Sequence, residues 1–261
     1  MKFAILFAAL LSFTSLANTL PRTHRAQTRI IQGDQVALSK VPYQVSIRSV
    51  GHVCGGVIIA PSWVLTSASC VAGLSEKLSS IRYGTDTHNQ KGVIVGINRI
   101  IINPNYDRTN LVGDIALIEI DTIFDCDLYQ RNAPLASASD KINSGAYLYA
   151  YGWGYQTTDT GILADKLHEA ELQVVRRGQC GQAYAQHNIT IDESRQLCAG
   201  NMANGGPSIC QGDNGGPAYW EDEEKVVGVA SFSLGCGGPG TPSVFTKISA
   251  YRGWITEVAG V

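Results

Sequence analysis

Short apolar runs, interrupted at close intervals, constrain this chain more than any other feature. Residues 43–48, 56–59, 63–66, 93–102, 115–120, 146–151, 169–175 and 226–231 are rich in Val, Ile and Tyr and are bounded by Gly, Pro, Asn and Ser. Runs of that length and composition read as β-strands separated by turns. Helical spacing is confined to a short stretch at 177–186 and a C-terminal one at 248–259, where Tyr251, Trp254, Ile255 and Val258 fall on one face. Many strands without interleaved helices predict an all-β barrel or sandwich. With 261 residues, 44% of them apolar, the chain can bury one sizeable core or two packed halves. No internal repeat or low-complexity tract interrupts it.

The N-terminus reads as a targeting segment covering residues 1–17. Lys2 supplies a positive start, Phe3 to Leu11 an apolar stretch, and Ser15-Leu16-Ala17 a small-residue cleavage site. Residues 18–29 are polar and basic and read as a propeptide ending at Arg29, so the mature domain is expected at 30–261. Removing residues 1–29 leaves 16 basic against 22 acidic residues, a net charge of −6. That balance gives no reason to expect nucleic acid. No later apolar run is long enough to span a membrane as a helix. Secretion permits disulfides, which matters for a chain with seven cysteines.

The chemistry concentrates in Cys210-Gln211-Gly212-Asp213-Asn214-Gly215-Gly216-Pro217, a glycine-rich turn that should present Asn214 and two backbone N–H groups to a cleft. This string resembles the nucleophile loop of the chymotrypsin/trypsin-like serine proteases, in which serine stands where Asn214 stands here. The resemblance extends over essentially all of 30–261 and implies two six-stranded antiparallel β-barrels, a cleft between them and a C-terminal α-helix. The family's catalytic histidine sits in an Ala-Ala-His-Cys turn; the matching turn here is Thr66-Ser67-Ala68-Ser69-Cys70, with Ser69 in the histidine's place. Asp114, in Gly113-Asp114-Ile115-Ala116-Leu117, matches the orienting aspartate. A carboxamide nitrogen is no nucleophile, and a serine hydroxyl has no useful pKa for a general base. The expectation is therefore that the chain is not an enzyme, that Asp114 is structural, and that Ser69 and Ser231 donate hydrogen bonds to it. Gly212 and Asn214 keep the backbone of an oxyanion hole.

Other roles follow from the same resemblance. Cutting after Arg29 would free the ammonium of Ile30 to pair with Asp213, although Gln32 replaces a usual glycine. His52, with Ser46, matches a pair that holds this aspartate before the cut. Ser208 matches the base of the primary specificity pocket, and Ser233 and Ser243 replace the wall glycines, which predicts a blocked pocket. Disulfides are implied between Cys54 and Cys70, Cys180 and Cys198, and Cys210 and Cys236. Cys126 has no counterpart; it is expected to be buried and unpaired, with a free thiol and an inter-chain link as alternatives. The loop 84–90 lacks the glutamates of the related calcium loop, so no calcium, no other metal and no cofactor are expected. His88, His168 and His187 read as surface residues. Asn188-Ile189-Thr190 is an N-glycosylation sequon, and the acidic run Glu221-Asp222-Glu223-Glu224 reads as a solvated hairpin tip.

Within the family, the chain resembles mite group 3 allergens and the inactivated serine protease paralogues of the scabies mite. The chain is expected to be a secreted monomer, and its charge and apolar runs give no reason to expect nucleic-acid or membrane partners. The resemblance also implies binding of host proteins, complement components among them, and damping of complement activation. The alternative is a decoy or regulator of proteolytic cascades.

Overall fold

The computed structural model describes residues 33–125, 131–156 and 161–261. The segments expected as signal and propeptide, with Arg29 and Ile30, lie outside these residues, as does Cys126. Among the described residues thirteen strands form two sheets. The first is a closed barrel of β2 (Gln44–Arg48), β3 (His52–Ala60), β4 (Trp63–Thr66), β7 (Ala116–Ile120), β6 (Val93–Ile102) and β5 (Ser80–Tyr83), in that order around the ring. The second runs β1 (Asp34–Gln35), β9 (His168–Gln173), β8 (Tyr147–Gly152), β11 (Pro217–Trp220), β12 (Lys225–Phe232), β13 (Ser243–Lys247) and β10 (Gln196–Ala199). Every ladder pairing is antiparallel.

Beyond the end of β9, a bridge between Val174 and Ala199 joins that strand to β10 and closes the second ring. Two backbone bonds flank the bridge, Val175 N–H to Cys198 O at 2.8 Å and Gly200 N–H to Gln173 O at 2.9 Å. The two-residue β1 is added outside this ring, on the first residues of β9. The architecture is therefore the predicted pair of barrels, with one short extra strand on the second.

The pattern of inward side chains explains the closure. Val45, Ile47, Val57, Leu65, Ile81 and Leu117, on the strands of the first barrel, are all at 0% exposure. Gly55 looks like a breaker in sequence, and the predicted strand begins one residue later, at Gly56. In the structure β3 runs through both, because side chains there would collide with neighbours. A Cβ on Gly55 would stand 2.9 Å from the Cα of Gly216, and one on Gly56 would stand 2.8 Å from Val64 Cγ1. These glycines are where backbone must approach backbone.

The C-terminal helix α3 (Ile248–Ala259) has the predicted bounds and buries Ile248, Tyr251 and Ile255. It ends at Gly260 in the left-handed conformation, φ 72°. Helix α2 (Gln179–Ala185) is shorter than the predicted 177–186, because Gly178, at φ 86°, breaks the helical path before it. A one-turn helix, α1 (Ala68–Val71), follows β4. No helix among the described residues is long and apolar enough to cross a membrane.

Three disulfides tie loops to the barrels: Cys54–Cys70, Cys180–Cys198 and Cys210–Cys236. The second anchors α2 to β10, beside a small apolar cluster of Tyr184, Val244 and Phe232. Replacing Cys180 and Cys198 together by serine is expected to cost about 2–5 kcal/mol of stability, read by urea unfolding of the oxidised chain.

Candidate functional site

The site lies where the two barrels meet. Asn214 and Gly216 of the 210–217 turn pack on β3: Gly55 N–H donates to Asn214 O at 2.8 Å, and Thr66 Oγ1 donates to Gly55 O at 2.9 Å. Gly215 adopts φ 81° and would place a Cβ 2.2 Å from Thr66 Oγ1. The turn needs glycines at these positions because no side chain fits against the opposing strand.

Asp114 enters from the first barrel, just before β7, and is fully buried. Its Oδ1 accepts the backbone N–H of Ser69 at 2.6 Å. Its Oδ2 accepts the hydroxyls of Ser69 at 2.9 Å and of Ser231, from β12, at 2.5 Å. Burial pushes the Asp114 carboxyl pKa up, and the Ser231 and Ser69 donors pull it back down. No cation takes part in these bonds. Thr246, on β13, donates its hydroxyl to the backbone carbonyl of Asp114 at 2.8 Å. Asn214 turns its amide toward β12 and donates Nδ2–H to the Ser231 carbonyl. Ser69, Asp114, Ser231 and Asn214 thus form one connected polar network.

Asp213, next to Asn214, points away from the cleft into the second barrel and is 2% exposed. It accepts Gly154 N–H at 2.7 Å and Cys210 N–H at 2.9 Å. Gly152 and Gly154 leave the room: a Cβ on either would fall within 2.3 Å of a carboxylate oxygen. Two backbone donors compensate a buried carboxylate incompletely, and burial pushes its pKa up to about 7. Ile30, expected to bring an ammonium here, lies outside the described residues. The cradle glycines were not singled out in the sequence, yet the alternation Gly152-Trp153-Gly154 carries the signal.

His52 does not hold Asp213. Its Nε2–H donates to the carbonyl of Gly212 at 2.9 Å, which leaves Nδ1 to accept the Ser46 hydroxyl at 2.7 Å. With Asp213 turned into the Gly152/Gly154 cradle, the imidazole instead props the turn that bears the oxyanion-hole positions Gly212 and Asn214. Two further histidines differ from expectation: His88 and His168 are buried, whereas His187 is exposed. His168 donates Nδ1–H to Lys166 O at 2.7 Å. The His88 ring packs 5.4 Å from that of His52, and its backbone carbonyl accepts Arg48.

The three serines expected at the primary pocket are brought together, with Ser208 in hydrogen-bond reach of both Ser233 and Ser243. Ser208 donates to Ile209 O at 2.8 Å and lies 3.0 Å from Ser243 Oγ and 3.3 Å from Ser233 Oγ. Ser243 Oγ also accepts Ile209 N–H at 3.1 Å. Ser208 spends its proton on Ile209 O, so Ser243 and Ser233 donate to Ser208. The floor carries no carboxylate to attract a cationic side chain.

Asp86, in the loop compared with the calcium loop, pairs with Lys166 at 2.8 Å. Among the described residues no group of three or more His, Cys, Asp and Glu side chains could hold a metal. Asn188 is exposed in the turn after α2, and Glu221, Asp222, Glu223 and Glu224 form an exposed turn between β11 and β12.

The trypsin family profile matches residues 30–255 of this chain. The chain belongs to the trypsin family. It is 32% identical over 246 residues to trypsin 5G1 of Aedes aegypti, covering 91% of this chain and 87% of that protein. It is 34% identical to trypsin Blo t 3 of Blomia tropicalis, covering 88% of this chain and 86% of that one. It is 35% identical to trypsin Tyr p 3.0101 of Tyrophagus putrescentiae, covering 87% and 79% respectively.

These relatives correct the expectation that the chain is not an enzyme. The family is a protease family and each relative carries the name trypsin. Substitution of two reacting groups does not by itself establish inactivity. In the chymotrypsin-like template, oxyanion hole and binding alone retain about 10³–10⁴-fold acceleration over water.

His52 generates a pH prediction. Burial is the main cause that pushes its pKa down to about 4 from the ordinary 6.5. A neutral buried imidazole stabilises the fold fully above the unfolded value, and that contribution is lost as pH falls through the folded one. The wild-type chain should therefore lose on the order of 3 kcal/mol more than His52→Gln between pH 7 and pH 4, measured by urea unfolding at the two pH values.

Proposed function

We propose that this chain is a secreted trypsin-family protein that binds host proteins, complement components among them, and damps complement activation. The observation that carries the reading is the serine network in the primary pocket. Trypsin-like recognition inserts a long side chain between glycine walls; here the wall positions carry Ser233 and Ser243, and both are in hydrogen-bond reach of Ser208, which supports a closed pocket. Recognition then falls to outer surfaces, where the barrels present loops on a rigid scaffold. The resemblance to the scabies mite paralogues supplies the host and the cascade, and the Blomia and Tyrophagus relatives are consistent with that origin. The N-terminal targeting segment supports secretion, and the three disulfides suit an oxidising compartment.

A decoy for protease substrates or inhibitors is the second reading. It requires a cleft that a peptide can enter, so opening the pocket discriminates the two. In the background Ser69→His with Asn214→Ser, adding Ser233→Gly and Ser243→Gly is expected to raise hydrolysis of peptide esters at least about tenfold. That is the scale on which pocket shape discriminates. Equal hydrolysis with and without the glycines would mean that the pocket already admits substrate, and would favour the decoy.

The direct test is complement-driven lysis in human serum with the purified, folded chain added. A peptide-amide assay and an active-site phosphonate are run beside it. Dose-dependent loss of lysis that persists after phosphonate treatment is the expected result. Unchanged lysis at saturating protein would overturn the complement reading.

A further inference from the structure

A cavity of about 470 Å³ opens on the outside of the second barrel, along the seam between the end of β9 and β10. Four cations line it: Lys141, Arg176, Arg177 and Lys247. Its two acids are already engaged. Glu193 accepts the backbone N–H of Gly178 at 2.8 and 2.9 Å and lies 3.7 Å from Arg177. Asp140 accepts the N–H and hydroxyl of Ser137 and pairs with Lys225 at 3.0 Å.

The cations are less well satisfied. Neither Lys141 nor Arg176 forms an ion pair among the described residues. Lys247 is half-buried and gives one bond to the backbone carbonyl of Glu193. Burial and the neighbouring Arg177 push its pKa down, and Glu193 and Asp192 push it back up. Such a cluster contrasts with the acidic balance of the mature chain. The remaining polar lining is uncharged, from Asn143, Ser144, Ser194, Gln196 and Ser249. An adjoining cavity of about 730 Å³ shares Ser144, Val174, Val175 and Arg176, which places Arg176 on the ridge between the two.

We propose that this cavity binds a sulfated saccharide, with sulfate esters on Arg176 and Lys247 and sugar hydroxyls on the serine and asparagine side chains. The size falls in the range of about 300–1,000 Å³ that holds small ligands. Guanidinium and ammonium groups bind such oxyanions by charge-assisted hydrogen bonds. The choice of sulfate over phosphate rests on the secreted reading, and binding itself requires neither complement nor the cleft.

The test is calorimetric titration of the full folded chain with sucrose octasulfate, with unsulfated sucrose and inositol hexakisphosphate as comparison ligands. Binding of the octasulfate is expected, and binding of sucrose is not. Arg176→Ala should weaken affinity about tenfold, the value of one hydrogen bond to a charged group. Arg176→Glu should weaken it further, and Lys247→Met should act in the same direction. Lys77→Ala, on the first barrel, should leave it unchanged. Arg176 is exposed, so its variants keep the fold and remain informative if Lys247→Met does not. No octasulfate binding, or equal weakening by Lys77→Ala, would overturn the site. Tighter binding of inositol hexakisphosphate with the same response to Arg176 would overturn the saccharide assignment. If the site binds as expected while lysis is unaffected, the complement reading fails alone.

Discussion

The Asp114 carboxylate, buried at the junction of the barrels, is the constraint on which the site depends. A buried charge without partners costs several kcal/mol. Asp114 has no cation in its bonds and is held by hydroxyl and N–H donors alone, from Ser69 on one barrel and Ser231 on the other. The same residue anchors β13 through Thr246. Barrel packing and cleft chemistry are therefore one problem: the group that would orient a base is also a peg between domains. Ser69 serves the peg with two donors from one residue. Its presence explains how the junction is maintained without an imidazole.

The second carboxylate, Asp213, follows the opposite logic. It lies in a socket cut to its size by Gly152 and Gly154 and bonded only by backbone. Burial holds its pKa near neutrality, so the socket has electrostatic room for a positive charge. The turn around it is fixed from three sides, by His52 on Gly212, by Gly55 on Asn214 and by the Cys210–Cys236 bridge. Backbone geometry at Gly212 and Asn214 is thus set by residues other than the side chains that changed.

Much of this was legible in sequence. The strand runs at 93–102 and 63–66 and the helix at 248–259 carried enough β-branched or periodic residues to fix their bounds. Strands β1, β10 and β13 were less visible, because their pairing is set by distant partners. Gly55 misled for a physical reason: local propensity disfavours glycine in a strand, whereas close packing against Gln44 and Gly216 demands it. His88 and His168 misled similarly, since their polar neighbours hid a buried environment formed by other segments. The direction of His52 toward Gly212 depends on where Asp213 turns, which sequence spacing does not encode.

The second ring is joined at its seam by a single bridge and two flanking backbone bonds, whereas its other strands share ladders. Local opening follows the fewest interactions. The barrel can thus part along this line as a cut hoop does, with the Val175 and Gly200 amides exchanging with solvent while β12 and β13 stay paired. The walls of the cationic cavity stand on both lips of that cut, Val174 and Val175 on one and Leu197 and Cys198 on the other. Whatever lodges there acts as a clasp on the hoop.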